Sequence, residues 1–529
     1  MMEETIFGRK EYIEVIGKRI GDLRDGYRQN MAILGDEFVG KTSIISKFLN
    51  KYYDNHTVVA YLEVRPESIE SFAKRFIGVL LYNFLHNSNI PLKEDLEFLL
   101  VKSSGYLPRT TEKAKTILSG FKKRGRNNTV AELFSLCDLV HQETGKFCVV
   151  ILDEFHNLEG FGIKNFYKDW AKLLMLQKTT LYILISSMKY KARLILSKNL
   201  SLLFGNFEIV NVEPFDIRTS EEYLSRELKD IHLNPALKNF LVNFTGGYPF
   251  YLSVISQSLL TSQKDLIDIL MDILFESSGI LNQRFSNYLK CFLDIPYSKE
   301  YLTILYLISS GHNRLKDIAH LMHKPKTEIL SRVNHLLELD TINRSGDFLT
   351  INDRVFGYWL MFVYENKSHS LTFNAQNQKN VFRHNLQKML DDFLSISQRT
   401  ITERTAELMH LFQDDMIQLE KKRLRLTHFR EIKPLEFNSS SLKEGLIGRS
   451  SDSLWIIAFK NGLLTEECVS DFAKECKKYR NKLERKIIIA IQDIDDTAKL
   501  RAMEEKILTW DINKLNGLLD IFLKPRVIV

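Results

Sequence analysis

Met31-Ala32-Ile33-Leu34-Gly35-Asp36-Glu37-Phe38-Val39-Gly40-Lys41-Thr42 is the stretch on which the fold turns. Four apolar residues end a strand read over residues 30–34. They run into a loop matching G-x-x-x-x-G-K-[ST], and residues 43–49 can continue as a helix. Glycines at both ends let such a loop wrap tightly, so that successive backbone N–H groups converge on phosphate oxygens. The helix that follows adds its positive end. Gly35, Asp36, Glu37, Phe38, Val39, Gly40, Lys41, Thr42 and Ser43 are therefore the expected cradle for ATP. Lys41 is set against the β and γ phosphates, and the Thr42 hydroxyl is a ligand for Mg²⁺.

A second signal is independent of the first. Cys148-Val149-Val150-Ile151-Leu152-Asp153-Glu154 is an apolar strand ending in two carboxylates. Asp153 is expected to hold Mg²⁺ through its water shell, and Glu154 to orient and polarise an attacking water. Alone, an acidic pair starting a helix is more often only a favourable helix terminus. Beside the phosphate loop, hydrolysis is the better reading. A further strand, 180–186, ends in Ser186-Ser187-Met188-Lys189. Ser186 is the expected polar group near the γ phosphate, although serine is also a common strand terminator.

Apolar runs at 30–34, 57–64, 146–152, 180–186 and 207–212 alternate with amphipathic segments, as in a parallel sheet covered by helices on both faces. Residues 102–128, with Lys122-Lys123-Arg124-Gly125-Arg126, read as an excursion from that core. After Pro214 the pattern is helical to about Tyr288, with a turn at Thr245-Gly246-Gly247-Tyr248-Pro249. With 529 residues the chain exceeds one ordinary core. We expect four domains, at 1–216, 217–292, 293–368 and 369–529.

Hydrophobic content of 44% and charged content of 26% exclude a disordered chain, and no apolar run is long enough to span a bilayer. The acidic start Met1-Met2-Glu3-Glu4 lacks the order of a signal peptide, which predicts a cytoplasmic protein. Five cysteines without a C-x-x-C pair and scattered histidines exclude a zinc or disulfide scaffold. A net charge of +7 allows nucleic acid as a partner without requiring it.

Phe7-Gly8-Arg9-Lys10-Glu11, the phosphate loop, the Asp153-Glu154 strand end and Gly246-Gly247-Tyr248-Pro249 occur in an order that resembles the archaeal STAND ATPases (the MNS clade, related to AAA+ proteins). The resemblance covers about the first 360 residues. It implies a P-loop NTPase core with a helical lid, a winged helix-turn-helix and a C-terminal α/β nuclease-like domain. It also implies that Gly8 and Arg9 flank the adenine, and that the turn with Pro249 belongs to the lid over ATP or ADP. Relatives of this kind often carry an arginine where Leu203-Phe204-Gly205-Asn206 has Asn206. Its loss predicts slow, switch-like turnover, with Arg193 or Arg218 as substitutes. Self-association is compatible with this reading.

Residues 313–339 hold two short helical patterns, and 341–351 a strand-turn-strand carrying Arg344. Lys326, Arg332 and Arg344 are the expected contacts to DNA if a helix-turn-helix with a wing docks in a major groove. The same fold also serves protein contacts, so a signalling or scaffold role with a protein partner stays open. Asp353-Arg354-Val355-Phe356-Gly357-Tyr358-Trp359-Leu360 reads as an aromatic core seam.

The tail is expected to start as one long helix from about Phe382 through Leu419, with Lys421-Lys422-Arg423-Leu424-Arg425 as a solvated helix face. It resembles a restriction-endonuclease-like domain. Asp452 precedes strand 454–459 and Lys460 stands in place, but the carboxylate position holds Ala458. That removes a hard metal ligand and makes cleavage hard to support. Glu403 and Glu407 are either relics of a further acid or ordinary surface glutamates.

Overall fold

The computed structural model describes residues 7–86, 92–121, 129–163, 166–200, 207–231, 233–262, 264–293, 296–364, 375–419, 422–438, 441–479 and 482–528. The chain divides into two compact units. One is Met1–Phe215 with Tyr248–Phe250 and Glu338–Asp340, and the other holds the remaining residues.

The first unit is built on strands β1 (Asn30–Leu34), β2 (Thr57–Glu63), β3 (Phe147–Asp153), β4 (Thr180–Ser186) and β5 (Phe207–Asn211). They form one sheet in the order β2-β3-β4-β1-β5. Every pairing is parallel, with Ala32 opposite both Leu184 and Ile209. All residues of β1 and β4, and all but Phe147 of β3, are buried. Both faces are therefore covered, which is why these strands read as unbroken apolar runs and not as alternating ones. The helix Ile69–His86 puts Phe72, Phe76 and Leu80 into a core shared with Phe134, Trp170 and Tyr182. The expected excursion is in part a packed helix, Pro108–Gly120. It buries Ala114 and Ile117 in the same core, and Glu143 accepts from the Thr110 N–H and hydroxyl near its start. Lys122–Arg126 lie outside the described residues.

The second unit starts with helices Ile217–Glu227 and Pro235–Thr245 and continues through Leu266–Leu274 and Ile280–Leu293. Helices Ser298–Ser309, Leu315–Leu321 and Lys326–Glu338 then lead into the antiparallel hairpin β6 (Ile342–Ser345) and β7 (Phe348–Ile351). Phe356 and Trp359 are buried against Phe285, and the Trp359 indole donates to Asn282 at 3.0 Å.

The long helix expected from Phe382 to Leu419 is interrupted. Helix Ala375–Ser397 stops, and Ile401–Met409 begins afresh at a capping box between Thr400 and Glu403. β8 (Asp415–Leu419) pairs antiparallel with β9 (Lys422–Leu426), so Lys422, Arg423 and Arg425 of the basic run lie on a strand and not on a helix face, while Lys421 lies outside the described residues. Leu424 and Leu426 are buried while Arg423 and Arg425 point to solvent, the alternation of a half-buried strand.

A second sheet follows, in the order β10-β11-β12-β13-β14 (Glu431–Glu436, Glu444–Arg449, Leu454–Lys460, Leu483–Ala490 and Leu508–Trp510). Its first two pairings are antiparallel and its last two parallel, with helix Glu466–Cys476 between β12 and β13. Among the described residues no helix is long and apolar enough to cross a membrane.

Candidate active site

β1 delivers the chain to Gly35, whose Cβ position would lie 2.4 Å from the Val212 carbonyl oxygen, so no side chain fits there. The loop also needs two left-handed residues, Phe38 at φ 68° and Gly40 at φ 92°. Only the second is a glycine. The helix Lys41–Lys51 starts at once. Lys41 is 5% exposed, and its ammonium donates to the carbonyls of Gly35 at 2.9 Å and Asp36 at 2.8 Å. Burial holds that amine below its usual range, against the opposing pull of Glu154, Asp153, Asp36 and Glu37. Thr42 and Ser43, in the first turn, are exposed.

Asp153, at the end of β3, is 3% exposed. Its Oδ2 accepts from the Thr42 hydroxyl and from Tyr61, each at 2.9 Å, and its Oδ1 from the Glu154 N–H at 3.0 Å. Glu154 stands at φ 51°, a left-handed conformation rare outside glycine, which turns its side chain sharply off the strand. Its Oε2 accepts from both the N–H and the hydroxyl of Ser187, each at 2.9 Å. Burial raises this carboxyl, the Ser187 bonds and Lys41 lower it, and Asp153 raises it further.

The expectation for Ser186 is corrected by these contacts. Its hydroxyl is fully buried, lies 2.8 Å from His156 Nδ1, and also bonds the backbone of Met188. The neighbouring Ser187 is the residue that reaches Glu154. Burial, with Lys191 and Lys41 adding to it, pushes the His156 imidazole down to about 4, so it is neutral at pH 7.

Three more contacts fix the loop. Asp36 pairs with Lys189 at 2.7 Å and accepts from the Tyr248 hydroxyl at 3.2 Å. Phe38 stacks on Phe250 with centroids 4.3 Å apart, which sets Pro249 between two residues that hold the loop. Arg9, itself left-handed after Gly8 at φ 63°, donates to the carbonyls of Val39 at 3.2 Å and Glu213 at 2.6 Å, and its guanidinium lies 4.8 Å over the Phe215 ring. Arg9 thus braces the loop from behind. Glu37 is exposed beside it.

Lys41, Thr42, Asp153 and Glu154 are brought together as their spacing implied. Tyr61 and Phe250 carry no motif, and Ser187, Lys189 and Tyr248 lie within stretches that sequence alone singles out without assigning them a contact here. Ser187, adjacent to the serine that was chosen, is the one a strand-end pattern could have found. Asn206 lies outside the described residues. Arg193 donates to the Asn211 side chain at 3.1 Å, and Arg218 pairs with Glu222 on its own helix at 3.0 Å.

In the second unit, Lys326 is exposed at the start of its helix. Arg332 is not free for a groove. It pairs with Glu300 at 3.1 Å and lies 3.8 Å over the Tyr297 ring. Arg344 is exposed and donates to Gly346 O at 3.0 Å. The β6–β7 turn is met by β8: Asp347 N–H donates to Met416 O at 2.8 Å, and the Ser345 hydroxyl to Gln418 O at 2.9 Å. In the tail, Asp452 precedes β12 while Lys460 ends it, so the strand separates the two. Ala458 is fully buried opposite Gly445, and Lys460 donates to Ser441 O at 3.1 Å. Glu403 closes the capping box and Glu407 pairs with Arg399.

No sequence-family model matches the chain, and no curated protein does. Among solved structures the chain is similar to the Walker-type ATPase of Pyrococcus abyssi, at 19% identity and a TM-score of 0.51, over 68% of this chain and 97% of that one. The Aeropyrum pernix ORC2 protein aligns at 12% identity and a TM-score of 0.40, over 72% and 95% of the two chains. A STAND protein with a tetratricopeptide repeat sensor from Pyrococcus horikoshii aligns at 13% and 0.30, over 77% and 50%. Those two likenesses are too slight to argue from. The first is a likeness of fold alone, and the five-stranded parallel sheet of the first unit fits a P-loop NTPase core.

Proposed function

We propose that the chain is a Mg²⁺-dependent ATPase of slow, switch-like turnover, of the STAND and AAA+ kind. The observation that carries this reading is the 2.9 Å contact between the Thr42 hydroxyl, in the helix turn that closes the phosphate loop, and Asp153, at the end of β3, two hard oxygen donors from separate elements. Thr42 and Asp153 are the residues to hold Mg²⁺, which supplies charge neutralisation at the β and γ phosphates. Lys41 exchanges the Gly35 and Asp36 carbonyls for phosphate oxygens. Glu154, as carboxylate, accepts the proton of the attacking water. The two Ser187 bonds on that carboxylate support a low basal rate, as does Asn206.

The chain is read as an ATPase core (1–216), a helical lid (217–292), a winged helix (293–368) and a nuclease-like tail (369–529) without cleavage. The lid, wing and tail couple nucleotide state to DNA. A second reading has support of its own. Arg332 is held by Glu300 and Tyr297, and the wing turn is covered by β8, which favours a protein partner over a DNA groove at that helix.

The test is ATP binding and turnover with and without duplex and single-stranded DNA. Lys41→Ala is expected to abolish binding. Glu154→Gln is expected to bind ATP while turnover falls by about 10²–10⁴-fold. ATP binding that does not depend on Lys41 would falsify the ATPase reading. DNA that neither binds at low salt nor changes turnover transfers the second unit to the protein-partner reading.

A further inference from the structure

We propose that the C-terminal sheet carries a phosphate-binding pocket of its own, formed by Arg449, Lys477, Lys478 and Lys482. It goes beyond the reading above, since it holds whether or not the winged helix touches DNA. The pocket is a cavity of about 440 Å³ lined by those four cations with Ser450, Ser453, Leu454 and Tyr479. Its position follows from the fold. Arg449 ends β11, Ser450 and Ser453 belong to the turn into β12, Lys477–Tyr479 is the 3₁₀ turn closing helix Glu466–Cys476, and Lys482 precedes β13. Lys460 and Ala458 lie towards the other end of β12, so this is a different place from the nuclease-like position.

Among the described residues no carboxylate lines the cavity. The acids around it are few and mostly occupied. Glu475 pairs with Lys478 at 2.6 Å. Glu431 is 3.8 Å from Arg449 but 2.6 Å from Lys433. Asp452 accepts from the Ser451 hydroxyl at 3.1 Å and is not part of the wall. Lys482 donates to Ser451 O at 3.0 Å, which leaves its charge unneutralised and draws its side chain across to the β11–β12 turn. Lys477 is exposed and has no carboxylate partner among the described residues. Four cations from three segments thus line one cavity, with Glu475 on Lys478 and, at 3.8 Å and shared with Lys433, Glu431 on Arg449 as their carboxylate partners among the described residues. Their repulsion is relieved by an anion; the Ser450 and Ser453 hydroxyls bond each other at 3.0 Å, which leaves one of their two protons, with the Tyr479 hydroxyl, to donate to a phosphate. The volume exceeds one phosphate group, which fits successive phosphates of a nucleic-acid backbone or a free polyphosphate.

The experiment uses the full chain with Lys41→Ala, so that the phosphate loop does not dominate, and compares it with the same chain carrying Arg449→Ala and Lys477→Ala. One arm measures anisotropy of a short labelled DNA duplex across a salt series. The other measures pyrophosphate binding by calorimetry. In the DNA arm the slope of log K against log salt is expected to fall by about 2, roughly 0.9 for each lost phosphate contact, equally for unrelated sequences. A change in that arm identifies the ligand as backbone phosphate. A loss confined to the pyrophosphate arm identifies it as a free phosphate compound. No change in either arm overturns the pocket. Lys477→Gln alone, at an exposed position, gives a slope change of about 1 should the double variant not fold.

Discussion

Ser187 and Glu154 meet through two hydrogen bonds of 2.9 Å, and both bonds favour the charged carboxylate. Burial acts the other way and raises the carboxyl. The base must be ionised to accept a proton, so turnover is expected to fall as pH drops through the pKa of Glu154. Ser187→Ala removes one of the two donors, which raises that pKa. The acid limb of the pH–turnover profile should therefore move to higher pH, while ATP affinity at neutral pH holds. A limb that stays in place removes Ser187 from this role. The four residues of the proposed centre were legible because Lys41 and Thr42 close a glycine-bounded loop after one apolar strand, and Asp153 and Glu154 stand at the end of another. Ser187 was not, because two adjacent serines end β4 and only the backbone twist decides which faces Glu154. Burial of Ser186 against His156 is a tertiary fact with no local signature. Tyr61 is likewise invisible, since a tyrosine within a strand looks like any half-buried one.

At the scale of elements, the parallel strands were legible to within a residue or two, because a doubly covered strand is apolar throughout and bounded by polar turns. The tail was misread where two rules competed. Residues 382–419 contain enough helix formers to suggest one helix, yet Thr400-Ile401-Thr402-Glu403 is a capping box, a start signal that was passed over. Lys422–Leu426 was read by its charge, although its alternation of exposed and buried residues is that of a strand. The hairpin it forms matters because it packs on the β6–β7 turn. Gly346 stands there at φ 62°, and a Cβ would lie 2.1 Å from Met416 O. Gly346→Ala is expected to cost about 3 kcal/mol, from left-handed strain together with displacement of β8. Urea denaturation measures it. A midpoint equal to that of the parent chain would show that the wing and the hairpin are not rigidly joined.

For the whole molecule, the proposed ATP site lies in the first unit, and the second has a cohesion of its own. Within the second unit, helix, wing and tail are joined by charges taken out of water. Asp415 is 3% exposed and accepts from Arg314 Nε at 3.0 Å and Nη2 at 2.8 Å, while Lys316 stands 3.5 Å away. Arg354 and Arg526 converge on Asp520, and the Arg526 N–H donates to Asn243 at 2.9 Å. Removing one partner from such a pair is costly because the other charge remains in a poor solvent. Arg314→Met keeps the volume and strands Asp415, with Lys316 as partial relief. The expected loss is about 3 kcal/mol, at the lower end for a buried pair. That loss should fall on the second unit, whereas saturating MgATP at ~100 times its Kd should stabilise the first by about 2.7 kcal/mol. Calorimetry of the parent chain is then expected to show a transition that moves with MgATP and not with Arg314→Met, and another that does the reverse. A single transition shifted by both would mean that the two units unfold as one, and that the ATP site feels the state of the tail through folding itself.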